Sequence, residues 1–291
     1  MSSDCSNKGL ALAMLAPFFY TAKSFLIKIA PPANIDFFVF FRFFFDFLIL
    51  LPFFIYYRKE LKSSQKRLHF IRAIFVVLSI YGSVYGLRHL ALVDAILLEN
   101  TVPFFMVIIT IVWKKTNISL RSFLILLLGF LSLFFILKPK LDIFQFASLA
   151  SLGTGLAAAF TAVAISRLSE KEKPISILFY FNLFCCLLTF PRCFISWSSS
   201  DIPFISEGRF WLPFVLISIF GVFYQYVITK SYSLVEPYIV GGFIYFSVLF
   251  SALIGWFCFG ETIDCLQIIG GLVLITTGIL TLKEHVKLNK C

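Results

Sequence analysis

Ile35–Tyr57 reads IDFFVFFRFFFDFLILLPFFIYY, and from Phe37 onward its only charged residues are Arg42 and Asp46. A spanning helix needs about 20 predominantly apolar residues, so this stretch is long enough to cross a bilayer. Neighbouring stretches have the same character. Apolar runs parted by charge and turn clusters give ten segments, at 9–29, 35–57, 70–89, 92–113, 120–137, 143–166, 174–195, 210–229, 236–258 and 264–282. No ten-residue alternating strand pattern occurs, and lipid leaves no backbone group unpaired, so the spans are helices. The expected fold is an all-α integral membrane protein with ten transmembrane helices.

Composition points the same way. Of 291 residues, 60% are hydrophobic and 14% charged, with 39 Phe, whereas ordinary globular chains are about half apolar and about a quarter charged. Ten spans take about 200 residues, which leaves no room for a soluble catalytic domain. The net charge of +10 would suggest nucleic acid in a soluble protein. In a polytopic chain it reflects bases retained in cytoplasmic loops, and no nucleic-acid partner is implied. The seven Cys include no CxxC pair and read as small lipid-tolerant residues, with neither a disulfide framework nor a metal site. The N-terminal segment carries only Lys8 before its apolar run and has no small-residue cleavage site, so it reads as a retained first helix.

With both termini inside, the cytoplasmic segments hold 16 of the 25 Lys and Arg, from Lys8 and the Arg58–Arg67 loop to Lys283, Lys287 and Lys290. Six lie on the outer side, Lys138 and Lys140 among them, and Lys23, Arg42 and Arg72 fall within spans. The bias places both ends in the cytoplasm.

A weak repeat runs through the chain at an offset near 142. Ala91-Leu92-Val93-Asp94 matches Ser233-Leu234-Val235-Glu236, and Pro52-Phe53-Phe54-Ile55 is echoed at Pro191–Ile195. Five spans per half is an odd number, so halves 1–141 and 142–291 have opposite orientation. The charges agree: the 58–69 loop is basic while 196–209 holds only Arg209, and Lys114-Lys115 answers to Glu261 and Asp264. Inverted repeats are the architecture of secondary transporters, whose substrate site lies near the bilayer midplane.

Charged groups within spans cost about 2.5–3.5 kcal/mol on insertion scales, so each is a functional candidate unless it pairs or snorkels. Lys23, Arg42, Asp46, Glu99 and Asn100 form this set. Arg42 and Asp46 are four residues apart and share a helix face, where mutual neutralisation is the plain reading. Lys23 has a stem long enough to reach the end of span one. Glu99 and Asn100 precede Pro103, which removes a backbone hydrogen bond and frees the carbonyl of Glu99. A carboxylate, an amide and a free carbonyl suit a cation, an amine or a hydrogen-bonding base; the alternative is a protonated Glu buried against another helix. At offset 142 their counterparts are Gly241 and Gly242, so one half supplies chemistry and the other space.

Tyr20, Tyr81, Tyr85, Tyr180, Tyr224 and Tyr245 lie inside spans, and aromatic faces attract cations and stack on planar bases. Gly82 and Gly86 make a GxxxG in span three. Span six is rich in small residues (Ala147, Ala150, Gly153, Ala157), which permit close helix packing. No P-loop, GxSxG, HExxH or dinucleotide fingerprint occurs, so the chain is expected to be neither an enzyme nor the holder of a cofactor. A lipid-directed intramembrane enzyme would need a cluster of acids at the membrane surface, which the sequence lacks. The Asn117-Ile118-Ser119 sequon falls on the cytoplasmic side, where it is not glycosylated.

The ten spans in two inverted halves, Gly260-Glu261 before the last span, and Gly270-Gly271 with Gly278 inside it resemble the drug/metabolite transporter superfamily of EamA type, over almost the whole chain. Phe40-Phe41-Arg42-Phe43-Phe44-Phe45, Leu50-Leu51-Pro52-Phe53, Tyr56-Tyr57 and Tyr85-Gly86-Leu87 are similar to the S-adenosylmethionine transporters of obligate intracellular bacteria. The chain departs from the family at Lys114-Lys115-Thr116, where many members repeat the Gly-Glu pair, and at Glu99-Asn100, where the family is usually small and apolar. The resemblance implies uptake of S-adenosylmethionine across the bacterial inner membrane, with exchange for S-adenosylhomocysteine. Such a ligand carries a sulfonium, an ammonium, a carboxylate and a planar adenine. Glu99 would meet the positive groups, Arg42 or Lys23 the carboxylate, Asn100 or Asn182 the adenine edge, and tyrosines such as Tyr20, Tyr81 and Tyr245 its faces, with Asp46 beside Arg42. The alternative is a proton-coupled exporter of amino acids or drugs with Glu99 as the proton site. Oligomeric state has no signal in the sequence.

Overall fold

The computed structural model describes residues 3–29, 34–90, 98–114, 119–137, 146–196, 208–259 and 265–288. Every regular element among them is a helix: α1 (Ser3–Ile29), α2 (Ile35–Tyr56), a 3-10 turn at Arg58–Glu60, α3 (Lys66–His89), α4 (Val102–Ile109) running on as a π turn at Thr110–Lys114, α5 (Leu120–Leu137), α6 (Phe146–Ser169), α7 (Pro174–Ile195), α8 (Gly208–Tyr232), α9 (Pro237–Ile244), α10 (Phe246–Phe259) and α11 (Cys265–Leu288). Seven apolar segments among the described residues are long enough to cross a membrane, one of them Pro237–Cys258, which takes in α9, the turn at Tyr245 and most of α10. Shorter apolar helices at Val102–Trp113, Leu120–Phe135 and Ile268–Thr281 coincide with the expected fourth, fifth and tenth spans. The Ala91–Asp94 stretch, Lys138, Lys140, Lys115, the sequon's Asn117 and Ile118, Gly260-Glu261 and Asp264 lie outside the described residues.

Helix ends follow local chemistry. Asn34 caps α2, its side-chain oxygen accepting from the Asp36 amide at 3.0 Å, and Pro174 opens α7 where no amide donor is needed. Pro52 and Pro191 both sit inside helices, near the ends of α2 and α7.

The helices pair closely. α1 runs along α8, with Phe19 stacked on Phe223 at 5.5 Å. α3 runs along α6, α2 packs on α7 and α5 on α11. The α3–α6 contact uses the small residues: a Cβ at Gly82 would stand 2.6 Å from Thr154 Oγ1 and 3.0 Å from the Ala150 carbonyl oxygen. Thr154 Oγ1 donates to the Ser79 carbonyl at 3.1 Å. Absence of a side chain brings the backbones together, as the GxxxG spacing predicts.

Large apolar side chains face outward in number; Phe53, Ile55, Val112, Phe194 and Phe257 are each more than half exposed. Lipid is the solvent that accepts such a surface. The phenylalanines are not only lipid-facing, however. Phe37, Phe43, Phe54, Phe181, Phe214 and Phe243 are buried, and Phe43 meets Phe181 edge-on at 5.8 Å across the α2–α7 seam.

Candidate substrate site

The fourth span is interrupted where Glu99 and Asn100 stand. Leu98 and Glu99 are helical, Asn100 and Thr101 form a turn, and α4 begins at Val102. The Leu98 carbonyl accepts from both the Thr101 amide at 3.2 Å and Thr101 Oγ1 at 2.6 Å. Pro103 marks the break as the sequence implies, and the Thr101 hydroxyl helps to satisfy the backbone there. Gly155 on α6 packs against this turn: a Cβ there would stand 2.6 Å from Thr101 Oγ1 and 3.3 Å from the Glu99 carbonyl oxygen.

Glu99 Oε1 is shut off from solvent with no hydrogen-bond partner among the described residues. Beside the Glu99 side chain is Ser83 of α3, and within electrostatic reach is Lys23 of α1. Lys23 is 6% exposed. Its ammonium does not snorkel outward; it stands 4.9 Å from the Tyr20 ring and 5.2 Å from the Tyr224 ring of α8. Arg42 and Asp46 complete the set from α2, both buried and both within electrostatic reach of Lys23. Arg42 is within electrostatic reach of Asp46, yet neither oxygen of Asp46 has a hydrogen-bond partner among the described residues.

Asp46 instead lies against Gly221 of α8, where an added Cβ would stand 3.5 Å from Oδ1 and 3.8 Å from Lys23 Cδ. Ser218, one turn earlier, faces Asp46. Two bases and two acids thus converge from α1, α2 and the broken fourth span, beneath the Tyr20–Tyr224 pair, whose ring centroids are 5.4 Å apart. Buried charges are costly when unpaired. A formally neutral set with unfilled hydrogen-bonding capacity is suited to a ligand that carries both signs.

Other candidates sit elsewhere or at the margin. Asn100 is buried at the turn. Asn182 on α7 donates to the Leu178 carbonyl at 3.0 Å, leaving Oδ1 without a partner among the described residues. Cys185 and Cys186, on the same face of α7, lie within electrostatic reach of Asp46, so Asn182 borders the set. The Tyr81 hydroxyl donates to Asp36 at one end of the bundle, with Arg192 Nε and Ser196 Oγ donating to the same carboxylate. Tyr245 packs on Gly129 of α5, away from the charged set. Gly241 and Gly242 open no space: Cβ atoms there would stand 3.0 Å from Met106 Sδ and 3.3 Å from Thr281 Oγ1. Ser218, Gly221 and Ser83 join the site without having been singled out by sequence, and of the six tyrosines placed inside spans Tyr224 joins Tyr20 there.

Two stretches, residues 7–138 and 145–282, match the EamA-like transporter family. The chain belongs to that family. This EamA-like transporter is a multi-pass membrane protein that moves small molecules and is not an enzyme. It is 27% identical over 237 residues to the S-adenosylmethionine uptake transporter of Rickettsia bellii (strain RML369-C), covering 81% of this chain and 79% of that one. It is 26% identical to the pseudopaline exporter CntI of Pseudomonas aeruginosa (strain UCBPP-PA14), over 94% of this chain and 96% of that one. A solved crystal structure superposes with a TM-score of 0.81, covering 96% of this chain and 98% of that one at 11% identity, a likeness of fold.

Proposed function

We propose that this EamA-like transporter takes up S-adenosylmethionine, in exchange for S-adenosylhomocysteine, across a bacterial inner membrane with both termini in the cytoplasm. The observation that carries the reading is the convergence of Lys23, Arg42, Asp46 and Glu99 beneath Tyr20 and Tyr224. Glu99 and Asp46 meet the sulfonium and ammonium, and Lys23 or Arg42 the carboxylate. The two tyrosines offer faces to the adenine, and Asn100 or Asn182 meets its edge. Tyr81 and Tyr245 support the surrounding helices. The relatives named for S-adenosylmethionine uptake favour this ligand.

The fold proposed with it is two inverted five-helix halves, 1–141 and 142–291. Under a five-span offset, the pairing of α1 with α8 maps onto that of α6 with α3, and the α2–α7 and α5–α11 pairs map onto themselves. The family matches once in each half, which supports the same division. Such a pair of halves would rock about a site at their interface.

The test is exchange in proteoliposomes. Vesicles preloaded with S-adenosylhomocysteine should take up labelled S-adenosylmethionine faster than empty ones; no uptake by well-inserted protein would remove the reading. A proton-coupled exporter is the second reading, favoured by the likeness to an exporter over 94% of the chain. Under it, substrate efflux should follow an imposed pH gradient in wild type and lose that dependence in Glu99→Gln.

A further inference from the structure

Arg72 lies on α3, one turn beyond His69, and is 1% exposed. Its Nε, Nη1 and Nη2 all lack hydrogen-bond partners among the described residues. Its guanidinium carbon stands 4.7 Å over the Phe181 ring of α7. That contact offsets part of the desolvation of a buried cation, but a ring supplies no acceptor for its five N–H donors. The nearby acid does not serve it either, because Glu172 is occupied on one oxygen by His69 at 2.8 Å and on the other by Ser63 at 2.6 Å. Cys185 connects this residue with the central set: it lies within electrostatic reach of Arg72 and also of Arg42 and Asp46.

We propose that Arg72 is a further docking point for the carboxylate of the transported molecule, one step along its path from the Lys23–Arg42–Asp46–Glu99 set. The inference rests on the reading of the chain as a carrier of a small zwitterion. The central set is formally balanced, so a carboxylate arriving there displaces an acid from its bases. At Arg72 a carboxylate instead supplies the missing counter-charge, and the planar fork can bind both of its oxygens at once.

Two measurements test this without any transported substrate. In the first, purified Arg72→Gln and Arg72→Met proteins are melted without ligand. A buried charge kept for a ligand burdens the empty protein, so both variants should melt above wild type. Melting below wild type in both, or failure of both to fold, would mean that the guanidinium holds the bundle together and would overturn the proposal. In the second, a chain retaining only Cys185, its other six cysteines changed to Ser, is treated in membranes with an anionic sulfonatoethyl or a cationic trimethylammonioethyl methanethiosulfonate. The anionic reagent should modify Cys185 the faster, and Arg72→Gln should lower the anionic-to-cationic rate ratio by about tenfold. An unchanged ratio, or no modification by either reagent, overturns the proposal. If both measurements come out as expected while S-adenosylmethionine is not taken up, the anion site stands and the substrate assignment alone falls.

Discussion

His69 Nε2 and Glu172 Oε2 stand 2.8 Å apart with both side chains withdrawn from solvent, which ties α3 to the turn entering α7. The imidazole stacks on Tyr180 at 4.9 Å, and Ser63 Oγ donates to the second Glu172 oxygen. Close by, Lys173 and Glu60 make an equally short contact at 2.8 Å, yet Lys173 is 65% exposed. Burial rather than distance should set their worth. Glu172→Ala strands the buried His69 imidazole at about 1–3 kcal/mol and also releases the half-buried Ser63 hydroxyl, whereas Lys173→Ala should remove less than about 1 kcal/mol. Thermal melts of the two purified variants make the comparison, and equal losses would contradict it.

At the opposite end of α2 and α7, Asp36 gathers Tyr81, Ser196 and Arg192. Here the neutral donors should matter more than the charged one. Arg192 is 66% exposed and its pairing is screened, so Arg192→Ala is expected to change stability by less than about 1 kcal/mol. Asp36→Ala leaves the Tyr81 and Ser196 hydroxyls without their acceptor and should lower stability by about 2 kcal/mol or more. A double-mutant cycle between Asp36 and Tyr81 should show coupling larger than that between Asp36 and Arg192.

The helices were legible because run length in lipid is a strong constraint, and the charged candidates because each base or acid in an apolar run is costly. Pro103 located the break at Glu99-Asn100. What could not be read was phase. A helix apolar on every side has no polar stripe to orient it, so Tyr81, which turns to Asp36, looked equivalent to Tyr20, which turns to Lys23. Gly221 and Ser218 carry no charge signal at all; their place follows only from how α8 packs on α1 and α2. Arg72 carried the same signal as Arg42, a base within an apolar span, and differs from it in lacking a partner acid on its own helix.

Gly153 and Gly155, two residues apart on α6, should respond oppositely to alanine. A Cβ at Gly153 meets nothing within 4 Å, and replacing a helical glycine there should be neutral or should stabilise by about 0.5–1 kcal/mol. At Gly155 the Cβ would press on Thr101 Oγ1 and the Leu98 and Glu99 carbonyls. Gly155→Ala should therefore lower the melting temperature and, by shifting the turn that carries Glu99, reduce uptake. Gly153→Ala with impaired uptake would count against this account of the turn.

Lys23 and Asp46 approach the same point above Gly221, which allows a structural role to be separated from a binding one. Lys23→Met alone leaves the acids of the set in excess, and Asp46→Asn alone leaves the bases in excess. Either change uncovers a buried charge and should destabilise the protein by about 3 kcal/mol or more. The double variant restores neutrality, so its melting temperature should return close to wild type. If the charges serve only to hold the helices, transport should return as well. If they bind the substrate, the double variant folds normally and yet takes up labelled substrate at least about tenfold more slowly, because about 1.4 kcal/mol of lost binding is already a factor of ten. Recovery of uptake together with stability would move the binding site away from Lys23 and Asp46.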